Sequence, residues 1–241
     1  MPDWVKNGNF SRDELIAILR NHITQIVTPY KGKINEWIVV NEPYFNPYRQ
    51  NDIFYKTIGL DYIEIAFRAA RESDPSATLI YNDALNETAK GLTTKLTHQI
   101  VQMLKSKDLI DGVGIEGHML QYQPMPDKND VIATMRSYGV PVYVTEFDVN
   151  LKDVSGTQEQ RFAFQANAYK EMLEACLESG VCKGFTIWGI SDKNSVWETQ
   201  KGLDGYSPKA NPLLYDDNLN PKPAYFALLQ VLQQFAQQKS P

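Results

Sequence analysis

Five short apolar runs punctuate the chain: Trp37-Ile38-Val39-Val40, Ala77-Thr78-Leu79-Ile80-Tyr81, Gly112-Val113-Gly114-Ile115, Val140-Pro141-Val142-Tyr143-Val144 and Gly184-Phe185-Thr186-Ile187-Trp188. Each is too short for a helix and too continuously apolar for a strand wetted on one face. The pattern predicts parallel strands covered on both faces. Helical spacing fills the intervals. Ser11 and Glu14 have capping-box spacing. Leu15, Ile16, Leu19, Ile23, Ile26 and Val27 then form one apolar stripe, stopped at Pro29. One helix is expected over 52–73, through Phe54, Ile58, Tyr62, Ile65, Ala66 and Ala69. Others are expected near 90–107, 129–138, 157–179 and 222–238, the last with Asn220 as cap and Pro221 at its first position.

Strands alternating with helices predict an α/β fold with right-handed crossovers. Five strands could form an open doubly wound sheet, but no glycine-rich phosphate turn follows any of them. Polar residues gather instead where each strand ends, the rim at which a (β/α)8 TIM barrel places its active site. No linker or low-complexity tract divides residues 1–241, so they are expected to form one domain portion.

Composition narrows the function. Hydrophobic residues make up 43% of the 241 and charged residues 22%, which excludes a disordered or collagen-like chain. The net charge of −5, without a basic run, excludes a nucleic-acid groove and suits a neutral substrate. No apolar stretch approaches the length of a membrane span. Neither a basic n-region nor an apolar h-region follows Met1-Pro2-Asp3-Trp4, so no signal peptide is expected within these residues. Aromatics reach 11%, with four Trp and 13 Tyr, and aromatic faces are platforms for sugar rings. Cys176 and Cys182 could close a short bridge between a helix end and the next strand, or stand as two buried thiols. A bridge would suit an oxidising compartment.

The strand ends carry the candidate chemistry. They run into Asn41-Glu42, Asn82-Asp83, Glu116-Gly117-His118, Thr145-Glu146-Phe147-Asp148 and, through Trp188, Ser191-Asp192-Lys193. Carboxyl groups crowded on one rim cost desolvation and mutual repulsion. Glu42 and Glu146 are the pair expected to do work: one holds a proton near neutrality while the other stays charged. Glycosidic cleavage needs that division, with carboxyls about 5–5.5 Å apart in a retaining enzyme. His118, sharing the rim with Glu146 and Asp148, is expected to bond Glu146 and be steadied by Asp148. Trp188 and Trp197 suit a sugar-stacking wall. A divalent ion held by Glu42, Asp83, Glu116, Glu146 and Asp148 is disfavoured, because neighbouring Asn and Trp side chains are poor partners for it.

These segments resemble the retaining endo-β-1,4-xylanases of glycoside hydrolase family 10. The resemblance is carried by Trp37-Ile38-Val39-Val40-Asn41-Glu42, Tyr81-Asn82-Asp83, Gly112–His118, Val144–Asp148, Gly184–Lys193, Pro212-Leu213-Leu214-Tyr215-Asp216 and Lys222-Pro223-Ala224-Tyr225. It implies Glu42 as acid/base and Glu146 as nucleophile. Asn41 would bond the sugar 2-hydroxyl, with Asn82, Glu116, His118, Trp188 and Trp197 in substrate binding and Asp148 orienting His118. It implies xylan or xylo-oligosaccharides as partners, no cofactor, secretion or a periplasmic location, and a bridge between Cys176 and Cys182.

Departures carry expectations too. Glu116 and Gly117 stand where the family usually has Gln and Ser. An extra acid at 116 is expected to make Glu146 harder to ionise or to alter sugar contacts. Ala84-Leu85 replace an aromatic and an amide, which implies weaker leaving-group binding. Pro2-Asp3-Trp4 resembles the segment after the family's third strand, so only the last five βα units (strands 4–8) are expected here. About 80–100 residues would then lie elsewhere, as strands in cis or as another chain completing the barrel. A non-catalytic xylan-binding remnant and a related retaining β-glycanase are the rival expectations.

Overall fold

The computed structural model describes residues 1–43, 52–119, 125–199 and 209–239. They gather into two compact units, one of Met1–Asn86 with Lys90–Gly114, the other of Glu87–Ala89 with Ile115–Pro241.

In the first unit a single-turn helix, α1 (Asp3–Lys6), precedes α2 (Arg12–Val27). The capping box at α2 is formed: Ser11 N–H donates to the Glu14 carboxylate at 2.8 Å, and Glu14 N–H donates to Ser11 Oγ. The α2 stripe is only partly covered, with Leu15 and Val27 buried and Ile26 exposed. Leu15 packs with Val5 and Ile58, flanked by Phe10, Phe54 and Tyr62. Burying a side chain such as Leu15 is worth about 2 kcal/mol.

The helix expected over 52–73 is two helices, α3 (Ile53–Ile58) and α4 (Asp61–Ser73). Gly59 adopts a φ of 78° and ends α3 there. The apolar spacing continues across the break, so periodicity alone could not show it. Strand β1 (Glu36–Asn41) runs parallel to β2 (Thr78–Asp83), with Asn41 opposite Asn82 and an irregularity between Ile38 and Val40. Helix α5 (Thr94–Lys105) starts later than expected, after Gly91. Strand β3 (Gly112–Ile115), buried throughout, is hydrogen-bonded beside β2. β2 and β3 have the expected cover. β1 does not: Glu36, Ile38 and Asn41 are exposed, because β2 is its one strand neighbour among the described residues.

The second unit holds β4 (His118–Met119), α6 (Lys128–Ser137), β5 (Val142–Val149), α7 (Gln158–Ser179), β6 (Cys182–Ile187), α8 (Val196–Thr199) and α9 (Pro223–Lys239). β5 pairs in parallel with β4, His118 opposite Asp148, and with β6, Val144 opposite Phe185. It runs beyond its apolar run because Thr145, Glu146 and Asp148 continue the ladder. Those side chains therefore stand on a strand rather than in a loop. β6 stops at Ile187, leaving Trp188 just past its end, and none of its six positions is fully buried, so it lacks the expected cover. Helix α9 starts at Pro223 rather than Pro221, since Pro221 bridges to Tyr215 instead. Cys176 and Cys182 form a disulfide, Cα to Cα 5.1 Å, tying the end of α7 to the start of β6. Phe147 anchors this core, edge-on to Tyr169 at 4.9 Å between ring centroids and 5.3 Å from Phe185. No described helix is long and apolar enough to cross a membrane.

Candidate active site

His118 is the hub of the polar cluster in the second unit. Its Nδ1 lies 3.0 Å from Asp148 Oδ1 and its Nε2 3.2 Å from Glu146 Oε2. A Glu116 carboxylate oxygen stands 3.9 Å from the same Nε2. Strand geometry sets this up. Glu146 and Asp148 are two apart on β5, so they share a face. β4 lays His118 directly opposite Asp148, and Glu146 N–H donates to the Glu116 carbonyl at 3.1 Å. Asp148 and Glu116 are buried, while His118 and Glu146 keep partial access to solvent. Burial by itself would lower the imidazole pKa. The hydrogen bonds to Asp148 and Glu146, with the charges of Asp148 and Glu116, outweigh it and push His118 up to about 10. At neutral pH it is therefore an imidazolium donating to carboxylates on both sides.

Two indoles flank this ring. Trp188, 45% exposed, stands edge-on to His118 at 6.1 Å, and Trp197 at 5.6 Å. Trp197 lies on the short helix α8 rather than in an open loop, and its Nε1–H donates to Asp148 Oδ2 at 2.5 Å. That contact was not anticipated from the sequence. The available signal was general: a half-buried tryptophan needs an acceptor for its N–H.

The segment bearing Trp197 is pinned by the chain before α9. Asp192 N–H donates to the Tyr215 carbonyl, Leu213 N–H to Asp192 Oδ1 at 2.8 Å, and Asn211 N–H to Glu198 Oε1 at 2.8 Å. The Lys222 ammonium lies 2.9 Å from Asp192 Oδ2, both side chains almost wholly buried.

The first unit presents Asn41, Glu42 and Asn82. Asn82 is buried, and its amide donates to Asn41 Oδ1 at 2.6 Å. Glu42 N–H donates to the Asn82 carbonyl at 3.0 Å, so the ladder of β1 and β2 carries the half-buried glutamate at its exit. Glu42 has a φ of 47°, a left-handed backbone that costs a residue with a side chain about 1–2 kcal/mol. Asp83 is buried and accepts from the Tyr81 hydroxyl at 2.7 Å, a structural contact.

Glu116, His118 and Glu146 each bring one ligand-competent atom within 4.8 Å of the others. A divalent ion among them would have to displace the Nε2 proton. Without that exchange, the arrangement holds Glu146, which keeps partial access to solvent, beside a fixed positive charge, suited to attack on an electrophilic carbon.

The family model described as "Glycosyl hydrolase family 10" matches residues 1–231. Endo-1,4-beta-xylanase A of Fusarium oxysporum f. sp. lycopersici is 34% identical over 244 residues, covering 96% of this chain and 72% of that protein. Endo-1,4-beta-xylanase A of Phanerodontia chrysosporium is 35% identical over 228 residues, covering 93% of this chain and 54% of that one. Among solved structures, native xylanase 10B from Thermotoga maritima matches with a TM-score of 0.87 at 31% identity, over 99% of this chain and 72% of that chain. Xylanase 10B from Thermotoga petrophila, in complex with xylobiose, matches with a TM-score of 0.82 at 30% identity, over 97% and 70%. The chain thus spans between 54% and 72% of the lengths of these relatives.

Proposed function

Because the chain belongs to glycosyl hydrolase family 10 and shares its α/β, (β/α)8-barrel class, we propose that it takes part in hydrolysing β-1,4-xylosidic bonds of xylan with retention at the anomeric carbon. The observation that carries the reading is the chain Glu146–His118–Asp148, which holds one partly accessible carboxylate beside an imidazolium.

In this reading a Glu146 oxygen attacks the anomeric carbon as the glycosidic C–O bond breaks, and Glu42 gives its proton to the departing sugar oxygen. Glu42 then takes a proton from water, whose oxygen displaces Glu146 from the covalent intermediate. Asn41, whose Oδ1 accepts from the Asn82 amide, would bond a sugar hydroxyl. Trp188 and Trp197 offer faces to flanking xylose units. The Cys176–Cys182 disulfide fits a secreted or periplasmic location.

The test is hydrolysis of xylo-oligosaccharides by the 241-residue chain. Glu146→Ala is expected to lower kcat by about 10⁴-fold or more. Glu42→Ala is expected to spare the first step on an aryl xyloside whose leaving group needs no proton. Oligosaccharide binding without turnover would refute the catalytic reading in favour of a binding remnant.

A further inference from the structure

We propose that Trp197 is a positioning residue for Glu146, acting through a hydrogen-bonded series Trp197–Asp148–His118–Glu146 and not only as a stacking face. The inference rests on the reading of Glu146 as nucleophile. The two oxygens of Asp148 are divided between two donors: Oδ1 faces His118 Nδ1 at 3.0 Å, and Oδ2 accepts from Trp197 Nε1 at 2.5 Å. Asp148 is wholly buried, and a buried carboxylate keeps its charge only where donors replace water. An indole N–H is a donor only and cannot take a proton back. It therefore fixes the rotation of Asp148.

With Asp148 so held, the His118 ring is oriented from its Nδ1 side. Its Nε2–H is directed at the carboxylates of Glu146 and Glu116, 3.2 and 3.9 Å away. The donor is itself immobilised. Trp197 N–H is capped by Ser195 Oγ at 3.2 Å, and neighbouring Glu198 receives Asn211 N–H at 2.8 Å. A tryptophan serving only as a wall would need its ring face. This one also commits its N–H edge to the support of the nucleophile.

Substitutions that remove the N–H and keep an aromatic surface separate the two roles. Trp197→Phe does so with a smaller ring. Replacement of Trp197 by 3-benzothienylalanine keeps the bicyclic shape and covers the case in which the phenylalanine variant folds poorly. On an aryl β-xyloside, either change is expected to lower kcat about tenfold to a hundredfold, the worth of one hydrogen bond to a charged group, with little change in KM. Added to Asp148→Asn, Trp197→Phe is expected to cost little more, since both act at one bond.

Independently of turnover, the His118 Nδ1–H proton resonance is expected to shift or to exchange faster with water in the benzothienyl variant. An unchanged His118 resonance, a loss confined to KM, or full additivity with Asp148→Asn would overturn the proposal. If the unsubstituted chain shows no turnover, the function reading fails, while the resonance still decides whether Trp197 supports His118.

Discussion

Replacing Lys222 by Met tests how the second unit tolerates a buried charge pair. The Lys222 and Asp192 side chains are 3% and 1% exposed and 2.9 Å apart, and the ammonium also donates to the Asn211 carbonyl at 2.8 Å. Burial, the largest cause in each case, raises the Asp192 pKa and lowers that of Lys222 even with the partner in place. Desolvation thus outweighs mutual attraction for both groups, and the pair is tolerated more than it supports the fold. Lys222→Met keeps an apolar stem near Phe162, whose ring centroid lies 5.1 Å from the ammonium, but leaves Asp192 charged and sealed in. Breaking one side of such a pair costs about 3–5 kcal/mol. For a chain of this size that corresponds to a fall in melting temperature of about 6–20 °C. The double variant Asp192→Asn with Lys222→Met removes both charges and is expected to recover most of the loss. Urea unfolding at neutral pH, with the midpoint and slope read for all three proteins, measures both quantities. A single-variant cost below about 1 kcal/mol, or a double variant no better than the single, would refute the reasoning.

Two further outcomes follow from the same kind of argument. Cys176→Ser with Cys182→Ser opens a loop whose ends are six residues apart, so chain entropy assigns it a loss of about 2 kcal/mol and a melting temperature lower by about 4–8 °C; calorimetry showing no decrease would contradict this. Glu116→Gln removes one of the charges that raise His118, so the imidazole should titrate below about 10. Stability from the imidazolium is fully present below its ordinary value near 6.5 and is lost as pH rises through the folded value. The variant should therefore lose that stability at a lower pH, and an unchanged His118 titration by NMR would count against the role given to Glu116.

The most deeply buried strands were the legible part of the fold. The apolar runs ending at Tyr81 and Ile115 are core strands, and the Ser11–Glu14 box starts α2 as its spacing indicated. Where local and tertiary terms compete, the pattern misled. Gly59 breaks a helix whose apolar spacing never falters. Pro221 joins a bridge while Pro223 opens α9. β5 extends through polar residues because ladder hydrogen bonds are indifferent to side-chain polarity. At the site, residue types at strand ends pointed to Glu146, His118 and Asp148, which the structure brings together. The tie from Trp197 to Asp148 reaches across helix α7 and strand β6 in the sequence, and no periodicity encodes it.

The backbone at Glu42 has a consequence for selection experiments. An L-residue held at a φ of 47° works against its own torsional preference, which glycine or asparagine would satisfy more readily. A randomised library at position 42 screened for folding alone should drift toward those two residues, whereas one screened for turnover should return to glutamate. One codon would thus report which pressure, endurance or chemistry, the screen had really applied.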